Sequence, residues 1–541
     1  MAITLARPPA EVPSSARRRA WRTPSPWLAL AVAAVVLAAL AIALPVDHDE
    51  GQYVAAAALA RRLVPYADFA YLQTPLQLYL AAPLASVARG WAFVALRLAN
   101  AAMGLGELAL VYAVQRRLGV GRGRALAAAG LLLAAYPFEF SSAVARNDAL
   151  PALLESAAML AGIEALRMRR AAWALWTLAG LLLGLAASAK LSYVFPPSAT
   201  GLFLLWSVWR GRIGLPSLIG FGLGGLTGLL PCLLAWLRAP EGFLWGAVTF
   251  AETAPGDWFG RIGQGHRLWL PVRAAEGAFH LGVGPALAVV VGVGLALVRL
   301  GGKDAAGPAV VFVRALALAG LAAAFAPSPM QRQYLAPLLP PLFVLWGVLD
   351  PPARLPGAAR ATTRLLLAAG IAVGLGRAGY VLGHAAIGWI AGRPPPALAL
   401  TAEAHWLGRT LVRLGVRGPV ATISPQLEPD SGVPLDPRFA SGVFAYRTGD
   451  LVSDAQQRRL RILSPRTLAA GLDTDPPGAL VTGLETPQGV GRRNPDDDLR
   501  AYARTHGYDR RLSPDGAVEL WVRGPSAASP VGRSPSPRPR S

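Results

Sequence analysis

WLALAVAAVVLAALAIALPVDHDE, residues 27–50, decides how the rest of the chain is read. From Trp27 to Val46 there is no charge. A helix of about 20 apolar residues spans the ~30 Å hydrocarbon layer of a bilayer. The apolar region of a cleaved signal peptide is shorter than this, so the segment reads as an uncleaved signal anchor. Arg7, Arg17, Arg18, Arg19 and Arg22 precede it. Positive charge stays inside, so residues 1–26 read as a basic cytoplasmic N-terminus and the first helix runs outward. The helix then delivers four polar residues, Asp47-His48-Asp49-Glu50, to the outer surface.

Composition agrees with a membrane chain. Of 541 residues, 54% are hydrophobic and only 15% charged, where soluble domains carry about 25% charge. The net charge of +21 does not point to nucleic acid, because the arginines form no single stripe and sit mainly in short loops between apolar runs. The single cysteine, Cys232, excludes an intramolecular disulfide and a cysteine-based metal cluster.

Ten further apolar runs follow: Trp91–Val114, Ala125–Tyr136, Ala149–Leu166, Trp173–Ala189, Tyr193–Trp209, Leu215–Leu237, Ala278–Val298, Ala309–Ala326, Leu335–Leu349 and Leu365–Leu382. With the N-terminus inside, the basic clusters at 116–124, 167–170, 210–212, 299–303 and 354–364 all fall in the cytoplasm. The expected fold is therefore an α-helical polytopic membrane protein of about eleven transmembrane helices over 27–382, with outer loops 46–90 and 238–276. Within the first loop, Gly51 to Arg62 suits a helix lying at the interface, and Thr74 to Val87 a re-entrant or surface segment. Gly220 to Gly228 lies inside an apolar run, where small residues serve helix packing rather than phosphate binding. Beyond about Arg393 prolines and charges become frequent. Pro419–Ser424, Ala479–Thr482 and Val518–Val522 read as strands and Asp496–His506 as a helix, giving a small extracytoplasmic α/β domain over 383–523. Residues 524–541, rich in Ser, Pro and Arg, read as a disordered tail.

Three polar groups fall at the outer helix ends. In Asp47-His48-Asp49-Glu50, neighbouring carboxylates suit a general base, or oxygen ligands for a divalent ion with His48 as a nitrogen ligand, or a solvated helix cap. Arg146-Asn147-Asp148 reads as a phosphate-binding arginine with an orienting or metal-binding aspartate, or as a local ion pair. Gln331-Arg332-Gln333-Tyr334 offers a second phosphate ligand or a snorkelling arginine beside an interfacial tyrosine. Lys190 ends a span on the same side, as a ligand or an interface anchor. His266 and Arg267, in the long loop, read as solvated.

The arrangement resembles the GT-C membrane glycosyltransferases, in the branch of the protein mannosyltransferases and the bacterial lipid A aminoarabinose transferase. The resemblance rests on Asp49-Glu50 within Asp-Glu-Gly-Gln-Tyr, on Pro65-Tyr66-Ala67-Asp68-Phe69 followed by Thr74-Pro75-Leu76, on Asp148 in Ala-Arg-Asn-Asp, and on Arg332-Gln333-Tyr334-Leu335-Ala336-Pro337, where Gln333 interrupts the family's Arg-Tyr pair. It covers roughly residues 27–350. It implies a polyprenyl-phosphate sugar donor and an inverting transfer to a lipid, glycan or protein acceptor on the outer face of a bacterial inner membrane. It implies Asp49 and Glu50 as catalytic residues, with Asp49 activating the acceptor hydroxyl. Arg146, Lys190 and Arg332 would hold the leaving phosphate. Asp148, His48, Asp68 and Tyr334 would support the site, and Glu50 and Asp148 would hold a divalent metal ion if one is used. A transporter, which would carry mid-helix charges and an internal repeat, a polymer ligase and a non-catalytic scaffold remain as alternatives.

Overall fold

The computed structural model describes residues 25–168, 172–299, 307–487 and 494–523. The expectations for the N-terminal arginines and for the 524–541 tail lie outside these residues. Among the described residues eight helices are long and apolar enough to cross a bilayer, and eleven spans result if each of three bent pairs counts as one. Length and apolar composition fix these elements, because in hydrocarbon a helix satisfies every backbone polar group internally.

The chain begins with α1 (Pro26–Ala43), α2 (Glu50–Leu59), α3 (Leu76–Val87) and α4 (Ala92–Arg117). The first bent pair is α5 (Arg122–Leu133) and α6 (Tyr136–Ala143). Helices α7 (Ala149–Arg167), α8 (Ala172–Ala189) and α9 (Phe195–Trp209) follow, then the second pair, α10 (Leu215–Gly228) and α11 (Leu230–Arg238). The glycines of α10 let it press directly on α8; a Cβ on Gly224 would lie 2.0 Å from the Thr177 carbonyl oxygen. Residues expected as a loop from 238 to 276 instead form α12 (Pro240–Leu244), a π turn at Trp245–Thr249, α13 (Phe250–Arg261) and the start of α14 (Leu270–Gly282).

The apolar run Ala278–Val298 does not form the single helix expected of it. It breaks between α14 and α15 (Ala286–Arg299) with a 107° bend. Gly284 sits there at φ +120°, and a Cβ on it would meet the Ala134 carbonyl oxygen at 2.6 Å. The remaining membrane helices are α16 (Pro308–Phe325), α17 (Leu339–Leu349), the short α18 (Pro351–Arg354) and α19 (Gly357–Ile390). The last runs well past the expected end at Leu382.

The C-terminal domain opens with α20 (Pro396–Arg413) and α21 (Glu428–Ser431). After these come α22 (Gly442–Thr448), α23 (Asp454–Leu460), α24 (Leu468–Thr474) and α25 (Asp496–Thr505). Its four-stranded sheet has the order β1 (Val420–Thr422), β2 (Ala479–Thr482), β4 (Glu519–Arg523), β3 (Tyr508–Leu512), with β1 and β2 parallel and the other pairs antiparallel. The edge strand β3 was not expected; Tyr-Asp-Arg-Arg-Leu carries too much charge to read as a strand.

Two features place the site. First, α2 is not an exposed interfacial helix. Nine of its ten residues are buried, and it shares one apolar core with α3, α4 and the C-terminal domain, where Tyr53, Phe93 and Leu96 join Leu400, Phe439 and Trp521. Second, the Asp430 carboxylate of α21 accepts the Ala92 and Phe93 amides at 2.5 and 3.4 Å, capping α4 from another domain. Helix interiors also hold more charge than the apolar runs suggest: Arg97 and Glu107 in α4 and Glu155 in α7 are buried.

Candidate active site

The segment after α1 turns back over the bundle end and brings Asp47 to Asp49 against the 144–148 turn. That turn is held by Asn100 of α4, whose Nδ2 donates to the Val144 and Arg146 carbonyls at 2.5 and 2.7 Å. Asn147 adds a second anchor, accepting from Tyr53 Oη at 2.9 Å and donating to the Ala189 carbonyl at 3.0 Å. Arg146 is thereby fixed between three carboxylates. It donates to Asp47 Oδ1 at 2.7 Å and Asp148 Oδ2 at 3.1 Å, and it pairs with Asp49 Oδ2. Asp47 also binds Arg332 Nη2 at 3.0 Å. Lys190 pairs with Asp148 and lies 5.2 Å from the Tyr334 ring centroid. Arg332 stacks 3.7 Å over Phe140 and donates to Tyr136 Oη at 2.8 Å, while its Nε is buried with no hydrogen-bond partner among the described residues.

These groups border a cavity of about 390 Å³. One side carries Asp47, Asp49, Arg146, Lys190, Arg332 and Tyr334; the other carries Trp258 of α13 and Phe444, Arg447 and Thr448 of α22. His48 stands at the junction, edge-on to Phe444 at 5.0 Å and 3.8 Å from Glu485 Oε2. Burial raises the Asp47 pKa, but attraction from Arg146 and Arg332 outweighs it and holds the carboxylate below its usual range. Burial lowers the pKa of His48, keeping the imidazole neutral near pH 7. Burial pushes Glu485 up to about 7 and Arg447 down to about 10.

Residues 73–221 match the protein family described as dolichyl-phosphate-mannose-protein mannosyltransferase. No curated protein matches the chain by sequence. Among solved structures, ArnT from Cupriavidus metallidurans bound to undecaprenyl phosphate superposes with a TM-score of 0.59 at 16% identity, over 93% of this chain and 99% of that one. The Archaeoglobus fulgidus oligosaccharyltransferase in the apo form gives a TM-score of 0.52 at 12% identity, over 92% and 74%. AglB of that organism, solved with an inhibitory peptide and a dolichol-phosphate, gives 0.50 at 12% identity, over 93% and 75%. The fold is that of the GT-C glycosyltransferases.

On this GT-C scaffold the residues singled out from sequence separate into two sets. Asp49, His48, Arg146, Lys190, Arg332 and Tyr334 line the cavity, with Asp148 directly behind Arg146 and Lys190. Glu50 and Asp68 do not line it. Glu50, expected as catalytic, is wholly buried and grips Arg97, with Arg97 Nε to Oε1 at 2.7 Å and Nη2 to Oε2 at 2.5 Å. Its oxygens also accept the Ala145 and Asp47 amides at 2.6 and 2.7 Å. Asp68 closes a local turn, accepting the Val64 amide at 2.8 Å.

Glu50 and Asp148 do not fit a divalent ion. A hard cation needs free carboxylate oxygens, and those of Glu50 are taken by Arg97 and two amides while those of Asp148 are taken by Arg146 and Lys190. Among the described residues no three His, Cys, Asp or Glu side chains form a metal-holding group. Sequence reasoning missed Arg97, although a charge inside the Trp91–Val114 run was visible. It also missed Trp258 and Arg447, which nothing local in the sequence ties to the site.

Proposed function

We propose that this chain transfers a sugar from a polyprenyl-phosphate donor to an acceptor hydroxyl at the extracytoplasmic face of a bacterial inner membrane. The observation that carries this reading is the convergence of Arg146, Lys190 and Arg332 with Asp47 and Asp49 in one cavity of a GT-C fold. The family match and the polyprenyl phosphates bound by the similar structures support the donor class. The basic loops in register support the outer placement.

The charges give the chemistry an order. Arg146 is shared among Asp47, Asp49 and Asp148. A donor phosphate arriving at Arg146 and Arg332 competes for those guanidinium donors and releases Asp49, which then accepts the acceptor hydroxyl proton. The acceptor oxygen forms a bond to the anomeric carbon as the carbon–oxygen bond to phosphate breaks. The electron pair leaves on polyprenyl phosphate, and attack from the face opposite the phosphate inverts the centre. Cations fixed in place before the reaction stabilise that developing charge strongly.

The test supplies radiolabelled sugars on undecaprenyl phosphate to vesicles of defined sidedness that contain the protein and membrane extract. Label should move to an acceptor when the donor reaches the outer face. Transfer only from the cytoplasmic face, or none with any polyprenyl-phosphate sugar, would overturn the reading.

A further inference from the structure

The two sides of the cavity differ in origin and chemistry. The membrane helices supply balanced charge. The opposite wall comes from α13 and α22 and is aromatic: Trp258 and Phe444 are half-buried and flank the Arg447 guanidinium, whose carbon lies 4.2 and 4.8 Å from the two ring centroids. The wall is held in place from outside the cavity. Arg261 Nη2 donates to the Arg447 carbonyl at 2.6 Å, and Ser441 Oγ, next to α22, donates to the Ala70 carbonyl at 2.7 Å. Arg459 of α23 forks onto Glu241 of α12 at 3.0–3.2 Å.

We infer that Trp258, Phe444 and Arg447 form an acceptor subsite, and that the acceptor they fit is a sugar ring. This rests on the transferase reading above. A pyranose has an apolar C–H face and a rim of hydroxyls. Trp258 and Phe444 border the cavity and offer aromatic surface to the first, and the Arg447 guanidinium stacked between them carries donors that suit the second. Asp49 pairs with Arg146 and also attracts Arg447 across the cavity. A hydroxyl presented by a ring on the aromatic wall therefore meets the carboxylate on its way to a donor held by Arg146. The C-terminal domain thus contributes recognition as well as support.

Binding tests this without turnover. Saturation-transfer NMR on the full chain in nanodiscs should show methyl pyranosides bound through their C–H face. Trp258→Ala and Arg447→Ala should each weaken that binding about tenfold, the scale of one lost aromatic or charged contact. Trp258→Phe should retain part of it, and undecaprenyl phosphate affinity should stay within twofold in all three. Absence of glycoside binding to the parent protein overturns the inference. So does equal loss of glycoside and undecaprenyl phosphate binding in the alanine variants. If the parent protein binds glycosides through this wall but not undecaprenyl phosphate, the wall stands as a sugar-binding site, and the transferase reading falls together with the wall's role as an acceptor subsite.

Discussion

Asp49 and Glu50 are adjacent in sequence, and each binds an arginine, yet they occupy opposite environments. Glu50 and Arg97 are both fully buried, and every oxygen of the carboxylate is committed to a guanidinium or amide. Asp49 is about a quarter exposed at the cavity, and its partner Arg146 is divided among three carboxylates. The same pair chemistry therefore does two jobs. A dry, saturated pair fixes the chain; a wet, shared pair can exchange partners when an anion arrives.

The sharpest way to break this comparison is to remove one half of the dry pair. Glu50→Gln or Arg97→Leu leaves the other charge buried, and loss of one partner of such a pair costs about 3–5 kcal/mol. Arg97 also donates to the Ala41, Leu44 and Pro45 carbonyls at 2.8–3.0 Å, so its loss frees the end of α1 as well. Both variants should accumulate poorly and melt early in detergent. A Glu50→Gln protein that folds normally but is inactive would return Glu50 to the catalytic set.

Asp49→Asn should behave in the reverse way. Amide for carboxylate keeps shape but removes proton acceptance, which typically costs about 10²–10⁴-fold in rate. Melting temperature should change little, because Arg146 keeps Asp47 and Asp148. Normal transfer by Asp49→Asn protein would leave the Asp47–Asp49 cluster as a polar cap.

Glu485, beside His48 but outside the cavity lining, makes the fold respond to pH. Burial raises Glu485 from 4.5 to about 7. The folded state therefore holds its proton more tightly than the unfolded chain. The stabilisation is complete below about 4.5 and is lost as pH rises toward and through about 7. The shift sets an upper bound of roughly 3 kcal/mol. Melting curves of parent and Glu485→Gln protein, compared from pH 5 to 8, should converge at the acidic end and separate above it, with the variant the more stable. Parallel curves would mean that Glu485 is ionised in the fold.

This division was only partly legible in the sequence. The spans were legible because hydrocarbon thickness imposes length and composition on each helix locally. That Asp49, Arg146, Lys190 and Arg332 meet at one cavity was foreseeable because each lies near the end of an apolar run on one side of the bundle. The burial of Glu50 was not foreseen because a carboxylate beside Asp49 looks equivalent until Arg97 is known to lie against it. The helix α2 was expected at an interface because its cover, the C-terminal domain, lies hundreds of residues away. Trp258 and Arg447 were invisible for the same reason: neither has a local pattern, and only the docking of α22 on α13 brings them together. The break at Gly284 was hidden inside an apolar run that periodicity alone could not divide.

The smallest expected effect is the most specific. Arg332 gives Nη2 to Asp47 and Nη1 to Tyr136, and its Nε has no partner among the described residues. Its guanidinium carbon also lies 3.7 Å from the Phe140 ring centroid. A planar fork can hold its aspartate and still turn a donor toward a phosphate; an ammonium is a point charge that does neither in a fixed plane. Arg332→Lys should therefore keep the fold and the net charge of the site but lose about tenfold in kcat/KM for the donor, about 1.4 kcal/mol of differential binding. If the phosphate is bound mainly in the transition state, kcat should fall with KM little changed. If it is bound equally in the ground state, KM should rise with kcat unchanged. Arg332→Ala should cost more than Lys. Equal activity for the parent, Lys and Ala proteins would remove Arg332 from the phosphate site and leave Arg146 and Lys190, already occupied by aspartates, as too little charge to stabilise the leaving group.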